Sequence, residues 1–174
     1  GKRAARGELS PLPDDAQADL YELTQEICEA AGLPAYEVSN HARGPAYESA
    51  HNHIYWASGD WIGIGPGAHG RLTRDGTRYA TEAARHPADY IASAGPAETA
   101  LSDEETALEM LAMGLRPAHG FDIARFEALS PGGLNRAALA EMQEISLLTL
   151  SGQTLALTAQ GRLLADHIAA RLVS

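Results

Sequence analysis

Six consecutive residues, His51-Asn52-His53-Ile54-Tyr55-Trp56, hold the densest set of chemistry-bearing side chains in the sequence, with His41 and Tyr47 just upstream. An imidazole can ligate haem iron or a divalent metal, and Tyr and Trp can stack on a flat ring system. The same residues also fit a plain structural role, with Tyr55 and Trp56 in a core and His51 hydrogen-bonded to backbone. Spacing alone leaves both readings open. Zinc fits less well, because His51 and His53 lack a third ligand at recognisable spacing and a closed zinc site needs four.

A second candidate is the glycine turn Gly65-Pro66-Gly67-Ala68-His69-Gly70. Its glycines formally satisfy G-x-G-x-x-G after an apolar run, the dinucleotide fingerprint. That fingerprint must open a helix whose N-terminus receives a pyrophosphate. Here Arg71-Leu72-Thr73-Arg74-Asp75-Gly76 comes next and reads as strand and turn, so the nucleotide fold is rejected. What remains is a backbone that a ligand can approach closely, or a turn needed only for packing. His69 lies inside the turn and faces either a ligand or water. Glu37 ends a presumed strand, where it orients a partner or forms an ion pair. His86, His119 and His167 show no partner pattern and read as surface or cap residues. Cys28 reads as an inert, buried thiol. No Ser–His–Asp set, paired catalytic carboxylates or phosphate loop emerges.

The elements that must position these residues are set by periodicity and punctuation. Asp14 and Asp15 start a helix over 14–31, with Leu20, Leu23 and Ile27 on one face and Gly32 as its stop. Pro34–Ser39 reads as a short strand, and Trp61–Ile64 as a buried one. Arg74-Asp75-Gly76-Thr77 carries a hairpin signal, and a helix is expected around 86–94. Composition shifts near residue 97. Ser102 and Glu105 form a capping box opening a helix. Helices at 121–129 and 134–145 come next, then a hairpin over 147–157 and a single last helix capped by Thr158. That order is winged-helix-like. The expected organisation is two parts, 1–97 and 98–174.

Bulk properties narrow the partners. The 174 residues carry a formal charge of −10 and a pI near 5.0, a balance that repels nucleic-acid phosphates. The last helix offers only Arg162, His167 and Arg171, too sparse for a groove-reading face. No run approaches the ~20 apolar residues of a membrane span. The single cysteine excludes an internal disulfide and any cysteine-built cluster within this sequence, and fits a cytoplasmic protein. The first residue is not Met, so a natural start further upstream is expected.

Three stretches together resemble the HemW-type proteins: Tyr36-Glu37-Val38-Ser39-Asn40-His41-Ala42-Arg43, the H-N-x-x-Y-W segment from His51, and Gly59-Asp60-Trp61 through Gly70. These are haem chaperones of the radical-SAM superfamily, akin to the oxygen-independent coproporphyrinogen III oxidases. Leu157-Thr158-Ala159-Gln160-Gly161-Arg162-Leu163-Leu164 is similar to the C-terminal domain that the two groups share. The resemblance implies the last units of a partial (β/α) barrel followed by a winged-helix-like C-terminal domain, an α/β plus α+β chain. It also implies a missing N-terminal half carrying C-x3-C-x2-C, the [4Fe-4S] cluster and SAM.

On the same resemblance His51, Asn52, Tyr55 and Trp56 contact haem, with His51 as candidate iron ligand. Gly65, Gly67, Ala68 and His69 lie near SAM. Haem-acceptor proteins are the implied partners, with no nucleic acid and no integral membrane segment. The alternatives are a SAM-dependent oxidase forming protoporphyrinogen IX, and a structural lid on the barrel. Ala50 and Ala57 occupy places where relatives carry arginine, and Arg43-Gly44-Pro45 inverts the expected Pro-Gly order. If those arginines neutralise haem propionates, haem is held here more weakly or in another pose.

Overall fold

The computed structural model describes residues 6–7 and 10–174. The chain forms two compact units, Gly1–Glu48 and Ser49–Ser174. In the first, α1 (Asp14–Ala30) begins with Asp14 and Asp15, which favour the positive end of the helix dipole. It stops as expected at Gly32, whose φ of +74° permits a Schellman closure: Leu33 N–H donates to Cys28 O and Gly32 N–H to Glu29 O. No residue of α1 is buried, and Leu20, Leu23 and Ile27 lie half or more exposed.

The expected strand over Pro34–Ser39 is absent; the segment is a tight loop with bridge residues at Ala35, which pairs His41, and at Glu37. Glu37 accounts for the difference. Its carboxylate is 1% exposed, and one oxygen accepts from Ser39 N–H (2.7 Å), Ser39 Oγ (2.9 Å) and Asn40 Nδ2 (2.6 Å). Those local bonds curl the backbone back on itself in place of a ladder. Tyr21 Oη donates to Val38 O at 2.7 Å, and the His41 ring meets Gln25 Oε1 at 3.0 Å, so α1 carries the loop.

The second unit opens with α2 (Ala50–Trp56) and then a three-stranded antiparallel meander, β1 (His69–Arg74), β2 (Thr77–Glu82) and β3 (Ala97–Ala100), with α3 (Pro87–Ala92) between the last two. The β1–β2 hairpin forms at the expected turn. Arg74 pairs Thr77, and Asp75 and Gly76 both take positive φ, the two-residue geometry that matches strand twist. Trp61–Ile64 is not a buried strand. Only Trp61 pairs, with Arg71, while Ile62 and Ile64 are 73% and 85% exposed. A Cβ on Gly63 would stand 2.3 Å from His69 O, so the run passes tight against the start of β1 at a position only glycine fits, without extending the ladder.

Residues from 101 onward build the main core. The capping box forms as expected at the start of α4 (Asp103–Gly114), where Ser102 and Glu105 satisfy each other's backbone. Those bonds hold the Glu105 carboxyl below its ordinary pKa. Then come β4 (Phe121–Asp122), α5 (Ile123–Leu129), α6 (Arg136–Glu144), β5 (Leu148–Ser151) and β6 (Thr154–Leu157), with β6 central in a second antiparallel sheet. The expected last helix is two: α7 (Ala159–Arg162) and α8 (Ala165–Leu172). Leu111, Leu115, Phe126, Leu148, Leu155, Ile168 and Leu172 are almost wholly buried together in this part of the chain. The whole is a mixed α/β chain with two small antiparallel sheets and, among the described residues, no closed barrel.

Gly161 lets α7 pack closely on the backbone at Leu147, while the break between α7 and α8 falls at Leu164, whose φ −112° and ψ 17° leave the helical range. A Cβ on Gly161 would lie 1.8 Å from Leu147 O, whereas one on Gly152 meets open space. Gly161→Ala should therefore cost about 3 kcal/mol, and Gly152→Ala, strained only by its positive φ, about 1 kcal/mol. Urea denaturation of the two variants checks the order; equal losses would refute this account of α7.

Candidate functional site

α2 places the H-N-x-x-Y-W segment. Ser49 caps it, its hydroxyl accepting from Asn52 N–H at 3.3 Å. The helix ends in a Schellman closure without glycine: Ser58 takes φ +53°, Gly59 N–H donates to Ile54 O, and Ser58 N–H donates to Tyr55 O. With about 100° between successive residues, the seven-residue helix separates its rings into two groups. On one side the exposed His51 ring meets Tyr55 edge-on, centroids 4.6 Å apart, and Tyr55 packs at 4.3 Å on Trp61. On the other, His53 meets the buried Trp56 at 5.3 Å and lies nearly parallel to His119, 6.4 Å away and tilted 25°. The structure thus joins His51 to Tyr55, but turns Trp56 to the face of His53.

The His53 face borders an open cavity of about 330 Å³, walled by Trp56, Phe121, His53 and His119, with Asp122 and Arg125 contributing charge. An Arg125 guanidinium N–H donates to Ala57 O at 3.0 Å, which ties this arginine to the end of α2. Asp122 Oδ1 accepts from Ala124 N–H and caps α5. No motif in the sequence marks His119, Phe121 or Arg125 as a site residue. Their meeting with α2 is tertiary, and no local spacing announces it.

A charged cluster holds α2 from behind. The Arg78 side chain, 8% exposed, donates to Ser58 O (2.9 Å) and Gly59 O (3.3 Å) and pairs with Glu109 Oε1 (3.3 Å). Arg71 approaches the same carboxylate to 2.7 Å. Both guanidiniums lie over the Trp61 ring, at 5.6 and 5.8 Å from its centroid. Asp60 accepts from Thr73 N–H and Oγ1 and stands 3.6 Å from Arg78.

The glycine turn is knit into the protein. Gly65 N–H donates to Tyr90 Oη, Gly67 N–H to Ala84 O, and Ala68 N–H to Gly65 O. Gly65 and Gly67 take positive φ, and the chain then enters β1 rather than a helix, as required to reject the dinucleotide fingerprint. A Cβ on Gly70 would stand 2.5 Å from Thr81 Oγ1 and 2.8 Å from Trp61 O, so this glycine serves close packing. His69 is exposed, in register with Glu82. His86 caps α3, accepting from Ala88 N–H. Cys28 is half-buried on α1. Among the described residues, no three His, Cys, Asp or Glu side chains converge as metal ligands. No described helix is long and apolar enough to cross a membrane.

Residues 101–164 match the HemN C-terminal domain. Across the chain, relatives are about one-third identical. "Heme chaperone HemW" of Mycobacterium tuberculosis is 35% identical, over 99% of this chain and 43% of its own length. The same-named protein of Bacillus subtilis is 34% identical, over 94% and 44%. "Radical S-adenosyl methionine domain-containing protein 1, mitochondrial" of Dictyostelium discoideum is 32% identical, over 95% and 44%. The solved coproporphyrinogen III oxidase (HemN) of Escherichia coli, described as a radical SAM enzyme, shares the fold. It superposes with a TM-score of 0.67 at 16% identity, over 94% of this chain and 42% of that one. Residues 101–164 thus form a HemN C-terminal domain, and the chain as a whole has the fold of the C-terminal part of HemN. Over nearly its whole length it is homologous to the HemW-type proteins, and it spans less than half the length of these curated relatives.

Ser58 offers a test of how α2 is ended. It holds a positive φ without being glycine, and its hydroxyl is buried with no hydrogen-bond partner. Ser58→Gly should stabilise the protein by about 1 kcal/mol. A lower thermal midpoint in the variant would show that the end of α2 is held differently.

Proposed function

We propose that this chain is part of a haem-binding chaperone that delivers haem to acceptor proteins, and that α2 is where it meets the haem. The observation that carries this is the one-third identity, over nearly the whole chain, to proteins named heme chaperones. Chemistry on α2 agrees with it: an exposed imidazole, His51, stands beside Tyr55. Neutral imidazole is a haem-iron ligand, and aromatic rings pack on the macrocycle. His51 would ligate the iron, with Asn52 and Tyr55 beside it and Trp56 backing the helix.

In the whole protein, residues 1–97 would complete the end of a radical-SAM barrel and 98–174 would form its C-terminal domain. The [4Fe-4S] cluster and SAM would be held by the other half, with SAM close to Gly65, Gly67, Ala68 and His69. Cytoplasmic residence is part of this reading. An oxidase forming protoporphyrinogen IX is the second reading, favoured by the fold shared with the coproporphyrinogen III oxidase. Product formation by the full-length, cluster-reconstituted protein would decide for it.

Haemin titration of that full-length protein beside His51→Ala is the direct test. The expected result is saturable binding whose absorption band shifts and whose affinity falls at least about tenfold in the variant, the order of losing a metal-ligand contact. Absence of haemin binding would overturn the chaperone reading. An unchanged band in the variant would remove His51 from the iron.

A further inference from the structure

Resting on the haem reading above, we infer that the cavity on the other face of α2 is a second station for the same cargo, built from His53, His119 and Arg125. His51 and His53 lie two residues apart, hence about 200° apart around a helix, so one haem ring cannot lie flat against both. The His51 face is exposed and carries Tyr55 beside it. The His53 face is concave. Four rings wall it, His53, Trp56, His119 and Phe121, around about 330 Å³, room for the edge of a porphyrin rather than its full disc.

Each requirement of that edge has a match. Its apolar π-surface finds the faces and edges of the four rings. Its iron would then stand at the mouth, where His53 and His119, both lining the cavity, offer an imidazole. Its carboxylates find the guanidinium of Arg125, which is already oriented by its bond to Ala57 O and keeps further donors in a fork suited to a carboxylate. Asp122 shares the rim, but one of its oxygens is engaged by Ala124 N–H. The cation comes from α5, whose Arg125 side chain reaches back to the end of α2. A carrier benefits from two such sites: the recessed one retains the cargo and the exposed one presents it.

The test is haemin titration of the full-length, cluster-reconstituted protein, followed by absorption, for the wild type, His51→Ala, the double variant His53→Ala/His119→Ala, and Arg125→Gln. Two binding phases are expected in the wild type. His51→Ala should lose one phase and the double variant the other. Arg125→Gln, exposed and therefore safe for folding, should weaken the second phase about tenfold while leaving the first. A single phase abolished by His51→Ala alone, with the double variant unchanged, overturns the second station and leaves the chaperone reading standing. A wild type that takes up no haemin overturns both.

Discussion

The second unit turns on one guanidinium. Arg78 lies on the middle strand of the first sheet, and its side chain is almost wholly removed from water. A buried charge is tolerable only if it is paired and its donors are used. Arg78 meets both conditions by binding three parts of the chain at once: the carbonyls that end α2, the carboxylate of Glu109 on α4, and the face of Trp61. Charge closes as well. Arg71 and Arg78 are answered by Glu109 and Asp60, so the cluster is neutral even though one carboxylate serves two arginines. The costly loss is that of Glu109, which would leave Arg78, 8% exposed, without its nearest carboxylate.

That cluster gives the ring segment its orientation. α2 has only seven residues, too short to be stable by itself. Its start is fixed by Ser49 and its end by a left-handed Ser58 whose carbonyl faces Arg78. Trp61 lies under both arginines and against Tyr55, which in turn meets His51. A continuous series of contacts therefore runs from α4, through the charged cluster and two aromatic rings, to the exposed imidazole. The helix is presented by the sheet and α4 more than by its own propensity.

Local chemistry was legible in the sequence, and tertiary meetings were not. The Ser102/Glu105 capping box, the Asp75-Gly76 turn and the Gly32 stop each depend on residues within five positions, and all three formed. The glycine turn is no nucleotide fingerprint for an equally local reason: the residues just past Gly70 run on as a strand. The two misread strands failed because an apolar run fixes hydrophobicity, not pairing. Glu37 diverted one through hydrogen bonds to Ser39 and Asn40, and the other makes a single bridge at Trp61 and leaves Ile62 and Ile64 to solvent. The single last helix failed at Leu164, where the backbone leaves the helical range, while Gly161 seats α7 against Leu147 O, fourteen positions away. In the candidate site, the ring-rich hexad was visible as composition. Its division into two faces is a result of helical geometry once the helix is granted, but His119 and Arg125 enter from 66 and 68 positions beyond His53 and Ala57.

On the proposed haem reading, the division of α2 also bears on what a carrier requires. A site that fully enclosed a haem would bind it well and release it slowly, since affinity differences between related sites lie mostly in dissociation. A site with only one exposed imidazole would release readily but discriminate poorly, lacking both ring contacts and a partner for the carboxylates. One short helix here carries an imidazole on each side, and the His53 side adds the walls of a cavity and the guanidinium of Arg125. Both sides share the same cap at Ser49 and the same clamp at Arg78, so a shift that tightens one acts on the orientation of the other. Coupling of that kind needs no long pathway: the two faces are one turn of backbone apart, and the rigid element between them is the helix itself.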